Sequence, residues 1–163
     1  MKLLGLDPGL RCTGWGIVYS QGSSLRYIAD GIVVSDAEDS SSERLVQLYK
    51  GLSSVIEQYN PDSAAVEETF VNKNPSSTLK LGLARGVVLL SPALAGLKVA
   101  EYSANLVKKS VVGTGHASKD QVQMMVRRLL PGCTIKNSDS ADALAIAICH
   151  AHHLSTTRLW KVS

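Results

Sequence analysis

Hydrophobic positions in this chain change period at definable points, and each change marks an element. Residues 2–7, KLLGLD, form an apolar run that stops at Asp7-Pro8-Gly9. Proline and glycine favour a turn there, so the run is predicted to be a buried strand ending on a carboxylate. Residues 13–20 and 24–35 are rich in β-branched and aromatic side chains and are separated by Gln21-Gly22-Ser23, which predicts two more strands and a three-stranded antiparallel meander. The period then becomes helical. Leu45, Leu48, Tyr49, Leu52, Val55, Ile56 and Tyr59 define one apolar face, closed by Asn60-Pro61. Residues 63–67, SAAVE, read as an interior strand that again ends on an acid, Glu67.

After the polar stretch Phe70 to Asn74, a helix is predicted from near Pro75 through Gly96. It is apolar enough to be buried, with Gly82, Gly86 and Pro92 loosening it. Residues 97–102 read as a fifth strand, and residues 103–113 as a short helix. Ser118 and Gln121 have the spacing of a capping box, opening a helix with Val122, Met125, Val126 and Leu129 on its apolar side and Pro131-Gly132 at its end. The last helix is predicted to start near Asp139, with Ala141, Leu144, Ala145 and Ile148 as its apolar face. Residues 154–163 are expected to form a loose tail beyond a single domain spanning 1–153. The element order is that of an α/β protein with a five-stranded sheet of mixed strand direction flanked by helices.

Composition narrows the class. With 163 residues, 45% of them hydrophobic and 19% charged, the chain supports one core and is neither disordered nor collagen-like. No apolar run is read as long enough to span a bilayer, and the amino terminus lacks a signal-peptide cleavage pattern, so a cytoplasmic location is expected. Cys12, Cys133 and Cys149 are odd in number and lack C-x-x-C spacing, which suggests neither a disulfide framework nor a thiolate zinc site. The net charge of +3 conceals an uneven distribution. Residues 1–69 carry 5 basic and 10 acidic groups, residues 70–130 carry 9 and 2, and residues 131–163 carry 3 and 2. A basic middle between less basic flanks is compatible with an anionic partner such as nucleic acid, and equally with an ordinary solvated face.

Four carboxylates occupy awkward places: Asp7 and Glu67 at the ends of apolar strands, and Asp139 and Asp142 in the first turn of an apolar helix. If the first and fourth strands are parallel neighbours, Asp7 and Glu67 emerge side by side at the carboxyl edge, where open α/β sheets build their sites. Asp139 and Asp142 are three residues apart and share one helix face. Gathered together, such acids repel one another and call for a divalent cation. Hard oxygen donors with few histidines suit Mg²⁺ or Mn²⁺, which assist phosphodiester hydrolysis. The structural alternatives are a turn former at Asp7, a helix cap at Asp139 and Asp142, and a lysine partner for Glu67. Glu68 is assigned to the opposite face as a surface charge.

Gly5-Leu-Asp-Pro-Gly9, Ala65-Val-Glu-Glu-Thr-Phe70, Leu79-Lys-Leu-Gly-Leu-Ala-Arg-Gly86 and Asp139-Ser-Ala-Asp-Ala-Leu-Ala-Ile146 together resemble the RuvC Holliday junction resolvases of bacteria. Val111-Val-Gly-Thr-Gly115 and Lys119-Asp-Gln-Val122 extend the resemblance over almost the whole chain. It implies a ribonuclease H-like fold, a homodimer, RuvA and RuvB as protein partners, and Mg²⁺-dependent nicking of two opposed strands of a four-way DNA junction. Asp7, Glu67, Asp139 and Asp142 match the family's metal-binding tetrad. Phe70 matches an aromatic that stacks on bases, while Lys108 and Lys119 match basic positions near the scissile phosphate.

Lys109, Lys73, Lys80, Arg85, Arg127 and Arg128 are further candidates for phosphate contact or simple surface charges. The helix containing Leu79 to Leu90 reads as either an interface or a core helix. His116 and the trio His150, His152 and His153 are assigned to solvent rather than to metal, the trio as a solvated helix end suited to the negative pole. Asp139 stands where some members of the resembled family have histidine, and the tail is short. Two other classes fit parts of the pattern: a phosphate-binding module of the actin and sugar-kinase type, which needs two such domains, and a catalytically silent junction-binding protein.

Overall fold

The computed structural model describes residues 1–68, 74–135 and 137–160. Five strands form one sheet: β1 (Lys2–Asp7), β2 (Cys12–Gln21), β3 (Ser24–Val34), β4 (Ser63–Glu68) and β5 (Val99–Ser103), in the order β3-β2-β1-β4-β5. The first three make the expected antiparallel meander, and β4 and β5 add parallel to β1. The sheet is therefore mixed. Leu4 and Leu6 of β1 pack with Ala64 and Val66 of β4 on one face, under α1 (Ser41–Tyr59) and α2 (Pro75–Leu94). Leu3 and Ala65 face the other side, toward α3 (Ala104–Val112), α4 (Lys119–Leu129) and α5 (Ser138–Trp160). Along β1 and β4 this two-residue alternation sends successive apolar side chains to one core or the other.

Local signals account for the helix starts. Ser40 and Glu43 form a capping box on α1, and Ser118 and Gln121 form the predicted one on α4. Asn74 caps α2 ahead of Pro75. The short stretch after β5 is a nine-residue helix, α3, capped by Ser103.

Three expectations need correction. The last helix is not apolar on one face only: Ala143 to Ala151 are all buried, because the sheet lies on one side of α5 and α3 and α4 cover the other. It also continues to Trp160, so residues 154–160 are helical rather than a loose tail. Finally, α2 is not buried. Only Ala84, Val88, Ser91 and Pro92 are enclosed, while Leu79, Leu83, Leu90 and Leu94 are 68%, 41%, 50% and 63% exposed. By length and composition α2 is apolar enough to cross a membrane, contrary to the sequence reading. It packs against α1 instead, and its Arg85 pairs with Glu101 of β5.

Candidate active site

The site grows from the strand alternation. Asp7 is in phase with Leu3, and Glu67 with Ala65, so both acids project from the carboxyl ends of adjacent parallel strands onto the α5 face. Glu68, one residue later, is exposed, as expected for the opposite face. The turn after β1 is held by Thr13, whose hydroxyl donates to the Gly9 carbonyl at 2.8 Å and accepts from the Gly9 N–H at 3.3 Å. Asp7 is thereby left to face the other acids.

Closeness of α5 to the sheet brings in the second pair. A Cβ on Gly5 would lie 2.0 Å from the Ala143 carbonyl oxygen, one on Gly14 would lie 2.1 Å from that of Asp139, and one on Gly16 would meet Leu144 at 2.7 Å. Only glycine allows this approach, and it delivers the amino end of α5 beside Asp7. That end is capped by Asn137, whose Oδ1 accepts the Asp139 N–H at 2.8 Å. Asp139 and Asp142 are thus not needed as caps. One carboxylate oxygen from each of Asp7, Asp139 and Asp142 lies within 4.8 Å of the others.

Crowding and burial show in the protonation of these groups. Burial, then the charges of Glu67, Asp142 and Asp139, push Asp7 up to about 8. Burial also raises Glu67 and Asp142, opposed by the positive charges of Lys108 and Lys119. Lys119 Nζ lies 2.9 Å from Asp142 Oδ2, so the lysine at the start of α4 pairs with Asp142 rather than Glu67. Lys108, half-buried on α3, acts on the same two acids through its charge. Hard oxygen donors held so close that they resist ionisation are the chemistry that a small divalent cation satisfies.

Other candidates divide. Lys80, Lys109, Arg127, Arg128 and His116 are exposed, and Arg85 is paired with Glu101. Phe70 and Lys73 lie outside the described residues. Cys12 was not anticipated: it opens β2 beside the acids, and burial, a hydrogen bond to Asp139 and the charges of Asp139 and Asp7 push its thiol up to about 12. A thiol so held is a neutral neighbour, not a nucleophile. His150 is a correction. It is 3% exposed rather than at a solvated helix end, with Nε2 2.7 Å from the Ser63 hydroxyl and Nδ1 2.9 Å from the Tyr102 hydroxyl.

Comparison with known proteins identifies the family. Residues 3–150 match the family model described as crossover junction endodeoxyribonuclease RuvC. The chain is 64% identical over 156 residues to the protein of that name from Paramagnetospirillum magneticum, covering 96% of this chain and 94% of the relative. It is 63% identical over 153 residues to that from Rhodospirillum rubrum, covering 94% and 90%. The solved structure of Thermus thermophilus RuvC in complex with a Holliday junction substrate superposes with a TM-score of 0.89 at 32% identity over 96% of both chains. A ribonuclease H-like sheet, an acidic cluster at its carboxyl edge and likeness along nearly the whole length agree: the chain belongs to the RuvC family of crossover junction endodeoxyribonucleases.

Proposed function

We propose that this chain is a Mg²⁺-dependent, structure-selective endonuclease that resolves Holliday junctions in DNA recombination and repair. It makes paired symmetric nicks that leave 5′-phosphate and 3′-hydroxyl ends. The observation that carries the reading is the convergence of Asp7, Asp139 and Asp142, from β1 and the amino-terminal end of α5, on one point of the sheet edge. With Glu67 beside them on β4, they are the residues that would hold one or two Mg²⁺ ions, or Mn²⁺ in their place. Bound there, such ions supply water activation and charge neutralisation at the leaving oxygen.

The chain's own groups frame the substrate. Asp7 and Glu67 are fixed by strands and Asp139 and Asp142 by a buried helix, so the acids form a rigid platform on which a phosphodiester is oriented for in-line attack. Lys119 and Lys108 stand on the adjacent helices α4 and α3, where their ammonium groups offset charge growing on the phosphate. Lys109, Arg127 and Arg128 extend the positive charge along the same two helices, in line with a polyanionic partner. Phe70, two residues after β4 in sequence, is assigned base stacking at the junction.

Two opposed cuts need two copies of one site in fixed relation, which a two-fold dimer provides. Leu79, Leu83, Leu90 and Leu94 form an outward stripe on α2, and a second copy of this chain is its proposed occupant. RuvA and RuvB are the proposed protein partners, on family membership, and the bacterial cytoplasm the proposed location.

The deciding experiment incubates a synthetic four-way junction with Mg²⁺ and compares wild type with Asp7→Asn. Paired nicks by the wild type, with retained junction binding and no cleavage by the variant, are expected. Equal cleavage by both rejects the assigned site.

A further inference from the structure

Between Asp139 and Asp142 lies Ser140, a fully buried polar residue at the amino-terminal end of α5. Its hydroxyl donates to Asp30 Oδ2 at 2.5 Å and lies 3.0 Å from the Asn137 carbonyl oxygen. Asp30 is on β3, opposite Gly16 of β2 in register, and its other oxygen accepts the Tyr27 hydroxyl at 2.7 Å. Because Gly16 has no side chain, the Asp30 carboxylate reaches across to the first turn of α5. Two strands away, Asp7 is fixed in the same sheet.

A partly buried carboxylate is not needed for stability at this point, since an apolar pair of similar volume packs as well or better. What the carboxylate adds is direction. Apolar contacts of α5 with the glycine-lined sheet limit how near the helix comes, but they resist sliding and rotation weakly. The Asp30–Ser140 bond pins α5 at a point between the two acids. A cation bound by Asp7, Asp139 and Asp142 tolerates errors of only about 0.2 Å in its ligand distances. A small rotation of α5 would move Asp139 and Asp142 together away from Asp7.

We propose that Asp30, acting through Ser140, is a positioning residue that sets the Asp139 and Asp142 carboxylates against Asp7 for cation capture. Asp30 touches neither cation nor substrate in this role, and Tyr27 orients it. The inference rests on the reading of the acids as the metal site.

Mn²⁺ titration of the purified full chain without DNA, followed by the paramagnetic resonance of free Mn²⁺, tests it alongside thermal melting in EDTA. Ser140→Ala removes a single buried oxygen and Asp30→Ala the carboxylate. Each is expected to weaken Mn²⁺ binding about tenfold, the usual scale for outer-shell partners of metal ligands. The double variant should be no weaker than Asp30→Ala alone, because both changes break one bond. Asp30→Asn, which keeps an acceptor oxygen, should recover most of the affinity. Melting temperatures that fall while Mn²⁺ affinity stays within about twofold of wild type would assign the bond to the fold alone and overturn the proposal. Losses that multiply in the double variant would overturn it as well. Should Asp30→Ala not fold, Ser140→Ala decides the matter. A wild type that binds no Mn²⁺ removes the metal reading itself, and this inference with it.

Discussion

Lys119 Nζ rests 2.9 Å from Asp142 Oδ2, so a side chain of α4 occupies one of the oxygens that a cation would use. The ammonium relieves repulsion among the acids, and Lys119 is in turn raised by its hydrogen bond to Asp142 and by the charges of Asp142, Asp139 and Asp7. Cation entry therefore competes with this ion pair. Lys119→Gln should bind Mn²⁺ about two- to fivefold more tightly, matching the ~0.5–1 kcal/mol of a partly exposed pair. Junction cleavage at saturating metal should nevertheless fall about 10- to 100-fold, because the phosphate loses a cation. Calorimetric Mn²⁺ affinity that is unchanged or weaker in the variant would show that the lysine does not guard the site.

The approach of α5 to the sheet makes a second, purely steric prediction. At Gly5 an added Cβ would meet backbone on the facing helix, at 2.0 Å from the Ala143 oxygen and 2.6 Å from the Ala147 nitrogen, and neither has a flexible end to move. Gly5→Ala should destabilise the protein by about 3 kcal/mol in urea unfolding. Gly82, in α2, meets nothing within 4 Å, so Gly82→Ala serves as a control expected to stabilise by about 0.5–1 kcal/mol. Equal stability of the two variants would mean that the helix is free to lift.

How far the sequence could be read depended on whether a residue's signal was local. Asp7 and Glu67 were legible because each ends an apolar strand, and parallel pairing of those strands sets them side by side. The capping box at Ser118 and Gln121 was legible for the same local reason. Asp30 was not, because its partner Ser140 lies 110 residues away and no periodicity links them. His150 was misread since a histidine-rich helix end looks solvated until Ser63 of β4 and Tyr102 of β5 are brought to both ring nitrogens. For helix α2 the sequence leaves interface and core both open, for the opposite reason. Its apolar content describes a helix that wants covering, and nothing local says whether the cover comes from the same chain.

That cover is open to direct measurement. The α2 leucines sit at positions 79, 83, 90 and 94, spacings that keep them on one stripe, and they are 41% to 68% exposed in a single chain. Sedimentation of the wild type should report a dimer. Leu79→Glu combined with Leu90→Glu should shift it to a monomer with its secondary structure intact, since neither side chain belongs to the core. Paired nicking should then give way to isolated single nicks. A double variant that still sediments as a dimer would move the interface elsewhere on the molecule.

Protonation of two groups, half-buried Asp7 and buried His150, acts on stability in opposite directions. Asp7 ionises at about 8 in the fold against an ordinary 3.8, so between those values the folded chain holds the extra proton and stability falls as pH rises. Glu67 and Asp142, also raised, act in the same direction. His150 is pushed down to about 4 from an ordinary 6.5, by burial and then by His153. Across that window the unfolded chain binds the extra proton, so stability rises with pH. In EDTA the wild type should therefore show a shallow profile from about pH 4 to 6.5 and a decline from there to about pH 8. Asp7→Asn should reduce the decline and expose the rise, whereas His150→Gln should fall throughout. Metal reverses the upper limb: Mn²⁺ must displace a proton to bind, so its affinity should climb by up to about tenfold per pH unit and level off above about pH 8. Urea unfolding at stepped pH, with and without Mn²⁺, checks both. A wild type that gains stability in EDTA from pH 6.5 to 8 would mean that Asp7 is already ionised at neutral pH, and that the acids lie farther apart in solution than their geometry here requires.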